Sequence, residues 1–313
     1  MRIKKNAKVS VHPITAACVA LGVALAAFSF VGSDAKATDG QNFGGTAKIY
    51  GNIAPDQIES LSTGDRIKSA AAGRTPTAIW QTLEHGEKVE CMDCIPSVAE
   101  LLYDPNPKTR EIAAWWLRRR VFGVFGPGEV YEQTLATLKS DPDPIRRAYA
   151  ANAVGEFLAF PGIEAASDAA KSDPDARVRA ASVTALGRLG DDGKGALSQA
   201  MGDSDTGVKL AAVRIASRIN GYKDVSAAVR LANDSDPMVR RNAAELLGSW
   251  RSKDGFDGLA QMANDADPNV RNAAAHSLGA LHDPRAVPIL TNLSQNDPSG
   301  LVRDQATIAL RRL

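Results

Sequence analysis

The chain has 313 residues, of which 44% are hydrophobic, 23% charged and only 5% aromatic, with 37 Lys and Arg against 36 Asp and Glu. That apolar content supports a sizeable core, and the near-neutral balance lacks the basic footprint of a nucleic-acid binder. With few aromatics, burial falls to Ala, Leu and Val, which suits helices packed closely in layers.

Residues 1–37 read as a signal peptide. Arg2, Lys4, Lys5 and Lys8 form a basic start, residues 14–31 carry no charge, and Ala35-Lys36-Ala37 offers the small residues that signal peptidase accepts. A retained membrane anchor is the rival reading, because about eighteen uncharged residues just reach spanning length. Cys18 lacks the Leu expected three residues before a lipidated cysteine, since Thr15 stands there. Cleavage after about Ala37 predicts a periplasmic or secreted protein. It removes five basic residues and one acidic one and leaves a net charge of −3. Export and this charge both argue against a nucleic-acid partner, and membrane contact is expected only through an uncleaved signal.

Residues 38–55 are rich in Gly, Asn, Asp and Thr without apolar periodicity and read as a flexible leader. Residues 56–90 predict a helical N-terminal cap. Ile58, Leu61 and Ile67 lie at loosely helical spacing, and Thr75-Pro76 opens a second helix whose Ile79, Trp80 and Leu83 share a face. Such a cap would shield the apolar side of the first repeat.

Cys91 and Cys94 are the only cysteines after residue 37. In an exported chain an even count favours a disulfide. A redox pair is the alternative, since a helix follows at residues 95–102 and its dipole would favour a thiolate. Haem attachment would need His at position 95, where Ile stands, and a zinc site would need ligands beyond His85.

From residue 91 onward one phrase returns. Residues 265–281 read DADPNVRNAAAHSLGAL, with an Asp six residues before an Arg and a second Asp and a Pro between. Copies pair Asp173 with Arg179, Asp203 with Lys209, Asp234 with Arg240, Asp265 with Arg271 and Asp297 with Arg303. Looser ones run from Asp104 to Arg110 and from Asp141 to Arg147. The Asp spacings of 37, 32, 30, 31, 31 and 32 are those of a stacked helical array. In each unit a short apolar helix A leads to the Asp-x-Asp-Pro turn. The second Asp can cap helix B, and Pro then occupies the first helical position, where no donor is lost. The first Asp and the cation form a predicted scaffold ladder, with the guanidinium fork reaching the neighbouring repeat's Asp or its turn carbonyls.

These copies resemble HEAT repeats, and their length near 31 residues is similar to the shorter class found also in phycobilin lyase subunits. The matching positions include Val178, Val239, Val270 and Val302 just before the Arg. Two departures stand out: Thr109 replaces that Val in the first repeat, and Ile145-Arg146-Arg147 shifts it in the second. The resemblance implies an all-α fold, a right-handed α-solenoid of about seven two-helix repeats at about 91–122, 128–158, 161–190, 192–221, 224–251, 255–282 and 284–313.

It also implies that the B helices line a concave face. Five and nine residues past the ladder cation lie on the same side of helix B. The first column reads Trp115, Asn152, Thr184, Arg214, Glu245, His276 and Ile308, and the second Arg119, Glu156, Arg188, Arg218, Ser249, Ala280 and Arg312. Trp115, Arg119, Asn152, Arg188, Arg214, Arg218, Glu245 and His276 are therefore candidate partner contacts. Arg188, Arg214 and Arg218 form a basic patch suited to an acidic segment.

No HExxH, GxSxG or His-Glu metal pair is present, and Gly190-Asp191-Asp192-Gly193-Lys194 departs from a phosphate loop at Gly195. The sequence thus predicts an exported, non-catalytic scaffold without a cofactor, binding a protein or peptide. Two alternatives stand beside it: a thiol-redox or cofactor-insertion helper using Cys91 and Cys94, and a lyase-like, chromophore-handling protein. The C-terminal repeat ends without a polar cap and is an expected edge for self-association.

Overall fold

The structure is a computed structural model, described here for residues 63–313 except 88, 90, 124, 125, 160, 191–193 and 220. The expected signal peptide, the expected leader and the start of the expected cap, with Ile58 and Leu61, lie outside the described residues.

Helices α1 (Gly64–Gly73) and α2 (Pro76–His85) form the described part of the cap. Seven pairs of helices follow. The A helices are α3 (Ile95–Ala99), α5 (Glu129–Ser140), α7 (Gly162–Ser172), α9 (Lys194–Ala200), α11 (Val225–Arg230), α13 (Phe256–Met262) and α15 (Ala286–Asn296). The B helices are α4 (Pro107–Arg118), α6 (Pro144–Phe157), α8 (Ala176–Leu189), α10 (Thr206–Ala216), α12 (Pro237–Trp250), α14 (Pro268–Leu281) and α16 (Gly300–Leu310). The only strand pairing among the described residues joins β1 (Phe122–Gly123) to β2 (Gly126–Pro127). The fold is an all-α solenoid.

Each turn between A and B is built by its own carboxylates. The first Asp accepts from the amide two residues on, as Asp265 does from Asp267 at 2.8 Å. The second caps helix B: Asp143, Asp175, Asp236 and Asp267 each accept from an amide of its first turn. Asn106 does the same for α4, whereas Ser299 makes no side-chain cap on α16. A cap of this kind contributes about 1 kcal/mol, and Pro at the next position in α4, α6, α12 and α14 loses no donor.

The ladder runs between repeats. Arg147 grips Asp173, Arg179 grips Asp203, Arg240 grips Asp265 and Arg271 grips Asp297, in each case with Nε and Nη2 on the two carboxylate oxygens at 2.6–2.9 Å. The remaining guanidinium nitrogen reaches back to the turn carbonyls, as Arg271 does to Asp265 and Ala266. Lys209 pairs with Asp234 through its single ammonium. Each of these four arginines thus locks its own turn and the next one, whereas Lys209 reaches only the next. The paired carboxyls of Asp265 and Asp297 are held below their ordinary pKa first by the Arg hydrogen bond. For Asp203 and Asp234 burial is the largest influence and acts upward, and the hydrogen bond from Arg179 or Lys209, the backbone amide and the cation's charge together outweigh it. Arg303 holds its own turn carbonyls at Asp297 and Pro298.

A continuous apolar core extends from Leu138 to Ala309, largely Ala, Val and Leu. A second cluster unites the cap with repeats one and two through Ile67, Ile79, Leu83, Leu101, Leu117, Tyr131 and Phe157. Trp116 sits in this cluster fully buried, its Nε1 donating to Gly86 O of the cap at 2.8 Å. Arg120 lies over the Trp116 ring and donates to the carbonyls of Glu87 and Val89, fixing the segment after α2.

Small residues set how closely the B helices approach. Eight residues past the ladder cation stand Gly155, Gly187, Gly248 and Gly279. A Cβ there would lie 2.8 Å from Ala185 Cα, 2.6 Å from Ile215 Cγ2, 2.6 Å from Ser277 Cβ and 2.7 Å from Ala309 Cβ. At the equivalent position α4 carries Arg118, and Ser217 follows α10. A side chain there holds the next helix off. The fourth repeat therefore differs twice, with Lys209 in the ladder and Ser217 in the glycine column.

Candidate interaction surface

Two adjoining grooves lie on the B-helix face, and each spans a junction without the glycine. One, of about 710 Å³, is lined by α8, α10 and α12, and includes Thr184, Arg214, Met238, Asn242, Glu245 and Ser249. The other, of about 260 Å³, is lined by α4, α6 and α8, and includes Arg110, Tyr149, Glu156 and Arg188. Asn152 and Thr184 belong to both, so the grooves form one path.

The middle of the first predicted column comes together here, since Asn152, Thr184, Arg214 and Glu245 all line the larger groove. Trp115 is half-buried against the cap cluster, and His276 lies farther along α14, its Nδ1 3.3 Å from Gln305 Nε2. Neither lines these grooves. The second column is largely paired. Arg119 bonds Glu87 of the cap at 2.8 Å, and Arg188 bonds Glu156 of the preceding repeat. Burial pushes the Glu156 carboxyl up, against the pull of Arg188. Glu245 is bound to Arg241 at 3.0 Å on its own helix. Within the basic patch that leaves Arg214 and Arg218, both exposed and without an ion pair to any described residue.

The sequence reading missed several groove residues. Met238 is 57% exposed at the rim of the larger groove, an apolar side chain facing water where most of its kind are buried. Asn242, Ser249, Asn152 and Thr184 supply amide and hydroxyl groups beside it, the mixture that recognises an extended backbone. Glycine at the close-approach position is visible in the sequence as a column. Its absence after α10 is the signal that marks the groove.

The structure joins Cys91 and Cys94 in a disulfide. Cys94 is fully buried, 3.4 Å from Gly64 O, and a Cβ on Gly64 would come within 2.7 Å of Cys91 Sγ. The pair thus packs on the first residue of α1. The helix expected over residues 95–102 follows, as α-helix over Ile95–Ala99 and 3-10 helix over Glu100–Tyr103. No group of three or more His, Cys, Asp or Glu among the described residues could hold a metal ion, and no described helix is long and apolar enough to cross a membrane.

A family model for HEAT repeats matches residues 131–194, 163–235 and 225–311, more than half of the chain. Among solved structures, YibA of Escherichia coli is 20% identical with a TM-score of 0.50, the match covering 75% of this chain and 97% of that one. The structure in which Kap95p binds RanGDP matches at 12% identity with a TM-score of 0.56, over 88% of this chain and 43% of that one. An archaeal HEAT-like repeats protein from Thermococcus onnurineus NA1 matches at 15% identity with a TM-score of 0.46, over 70% of this chain and 96% of that one. No curated protein matches the chain in sequence. At these identities the solved structures speak for the fold alone.

Proposed function

This chain belongs to the HEAT-repeat family, and from that premise we propose that it is an exported, non-catalytic scaffold holding an extended acidic segment of a partner protein against its B helices. Arrays of this family are helical scaffolds that often mediate protein interactions. The observation that carries the reading is the pair of adjoining grooves on the B face, joined at Asn152 and Thr184. The path has polar groups for a peptide backbone, the exposed Met238 for an apolar side chain, and the uncompensated Arg214 beside it, with Arg218 one helical turn on. Export rests on the sequence of residues 1–37.

The test is charge reversal in the full chain, Arg214→Glu with Arg218→Glu, followed by isolation of the protein with its partner from the producing cell. The reading expects capture to fall about tenfold or more and wild-type capture to weaken with salt, as for exposed charges. A partner retained undiminished by the variant contradicts it.

A second reading, a thiol-redox helper, is favoured by the half-buried residue Cys91 beside the buried Cys94. There a partner thiolate would attack Cys91 Sγ, forming a mixed disulfide and releasing the Cys94 thiolate. In a Cys94→Ser variant the Cys91 thiolate can attack a partner's disulfide, releasing one partner thiolate, and the mixed disulfide then lacks Cys94 to resolve it. A variant that accumulates no mixed disulfide with any partner removes this reading.

A further inference from the structure

Within the proposed peptide path, one ladder cation stands apart. Arg147, Arg179, Arg240 and Arg271 each present Nε and Nη2 to the Asp of the next repeat. Arg110 occupies the same position in α4, and its Nη1 makes the same two bonds to its own turn, to Asp104 O at 2.6 Å and Pro105 O at 2.9 Å. The carboxylate that should meet its other edge is Asp141, and Asp141 is held instead by Arg146 Nε at 3.1 Å.

The cause is the departure in the second repeat. Arg146 stands where Val178, Val239, Val270 and Val302 point into the core, and its guanidinium lies out over the Tyr103 ring at 4.1 Å. Tyr149 then covers one face of the Arg110 guanidinium at 3.8 Å, which leaves the Nε–Nη2 edge in plane. Arg110 and Tyr149 both line the smaller groove. The other charges of that groove are matched, Glu156 with Arg188 and Glu111 with Lys108. Among the described residues, Arg110 is thus the charge of that groove without an ion pair.

We infer that Arg110 is a carboxylate anchor: its Nε–Nη2 edge takes the side chain of a Glu or Asp in the bound segment, in the place that the next repeat's Asp fills elsewhere in the array. The four intact junctions show what this edge binds in this fold. A guanidinium edge is matched to a carboxylate by two parallel hydrogen bonds, and a stacked aromatic ring fixes its plane. The groove's volume of about 260 Å³ is below that of ordinary small-molecule sites and suits one side chain of a longer segment. Asn152 and Thr184 connect it to the larger groove, so the anchored residue enters from the same path. The inference rests on the peptide-binding reading for the source of the carboxylate, and on the ladder geometry for its place.

The experiment follows the arginine Nε–Hε resonances of the full 15N-labelled chain, with Arg110 assigned by its loss in Arg110→Lys. The probes are N-acetyl-glutamate amide, its glutamine counterpart, acetate, and an end-blocked Ser-Gly-Glu-Gly-Ser peptide. The expected result is a saturable shift of the Arg110 signal with the glutamate probe, about tenfold or more tighter than with glutamine, and tighter still with the peptide. No saturable shift at Arg110, or equal binding of glutamate and glutamine, overturns the anchor. Acetate binding as tightly as the peptide overturns the peptide as its source. Loss of the partner in the Arg214/Arg218 variant with no probe response at Arg110 sinks the anchor and leaves the scaffold reading intact, and the converse pattern does the reverse.

Discussion

Gly248→Ala is the substitution at which two physical effects oppose each other most openly. In an exposed helix interior the change stabilises by about 1 kcal/mol, because glycine loses more backbone entropy on folding. Here the new methyl would sit 2.6 Å from Ser277 Cβ and 2.9 Å from Ser277 Cα. Ordinary carbon contacts lie near 3.5–4.0 Å, so α14 would have to retreat from α12 by roughly 1 Å. No side-chain rotation relieves a clash with backbone. α14 is itself held against α16 at Gly279, where a Cβ would stand 2.7 Å from Ala309 Cβ, so a retreat disturbs two junctions. Overpacking costs about 1–3 kcal/mol, which outweighs the entropic gain and leaves a net loss of about 1–2 kcal/mol. The assay is urea unfolding followed by tryptophan fluorescence, Trp250 lying two residues beyond the substitution. Gly195→Ala in α9 is the control, because nothing lies within 4 Å of its Cβ position, and it should be neutral or stabilising. A Gly248→Ala midpoint equal to or above that of the wild type would refute the close-approach account of the glycine column.

Asp297→Asn should destabilise by about 3 kcal/mol in the same assay, because the nearly buried Arg271 would lose its carboxylate while Asn still caps the turn at Ser299. Arg271→Met added to it should recover part of that loss, and a further equal loss would contradict the pairing. The ladder also sets an acid limit. The carboxyls of Asp203, Asp234, Asp265 and Asp297 have folded pKa values below their ordinary value, so the folded state binds fewer protons there than the unfolded chain. Their stabilisation is fully present above about pH 4 and is lost as pH falls through the folded values, so urea midpoints measured from pH 6 to 3 should fall steeply below about pH 4. Midpoints that stay level to pH 3 would show the ladder to be idle. Replacing both Cys91 and Cys94 by Ser should cost no more than about 2 kcal/mol, since the bridge closes a loop of only a few residues. Partner capture should persist, and its loss in a folded variant would favour the thiol reading.

The ladder was legible because Asp and cation recur at one spacing, and repetition supplies the partner: whatever Arg240 does to Asp265, Arg271 does to Asp297. The caps at Asp143, Asp236 and Asp267 were legible for the same reason. The groove was less so. Members of one column in successive repeats are neighbours in space, so Glu156 followed by Arg188 already spelled an ion pair, and Arg188 was spent before any partner arrived. Reading each column across repeats for opposite charge would have left Arg218 alone but would have paired Arg214 with Glu245, which the structure gives instead to Arg241 of its own helix. Arg146 and Tyr149 were visible as departures. Their effect on Arg110 depends on a guanidinium leaving the core position of Val to stack on Tyr103, a choice made by packing between repeats.

The central claim is that the B helices carry the partner while the paired ladder residues hold those helices in place. Hydrogen–deuterium exchange of the isolated complex tests it most directly. The account predicts new protection in α4, α6, α8, α10 and α12, at the peptides containing Asn152, Thr184, Arg214 and Glu245, with the A helices α5, α7 and α9 unchanged. Protection confined to the A helices, or to the segment around Cys91 and Cys94, would contradict it.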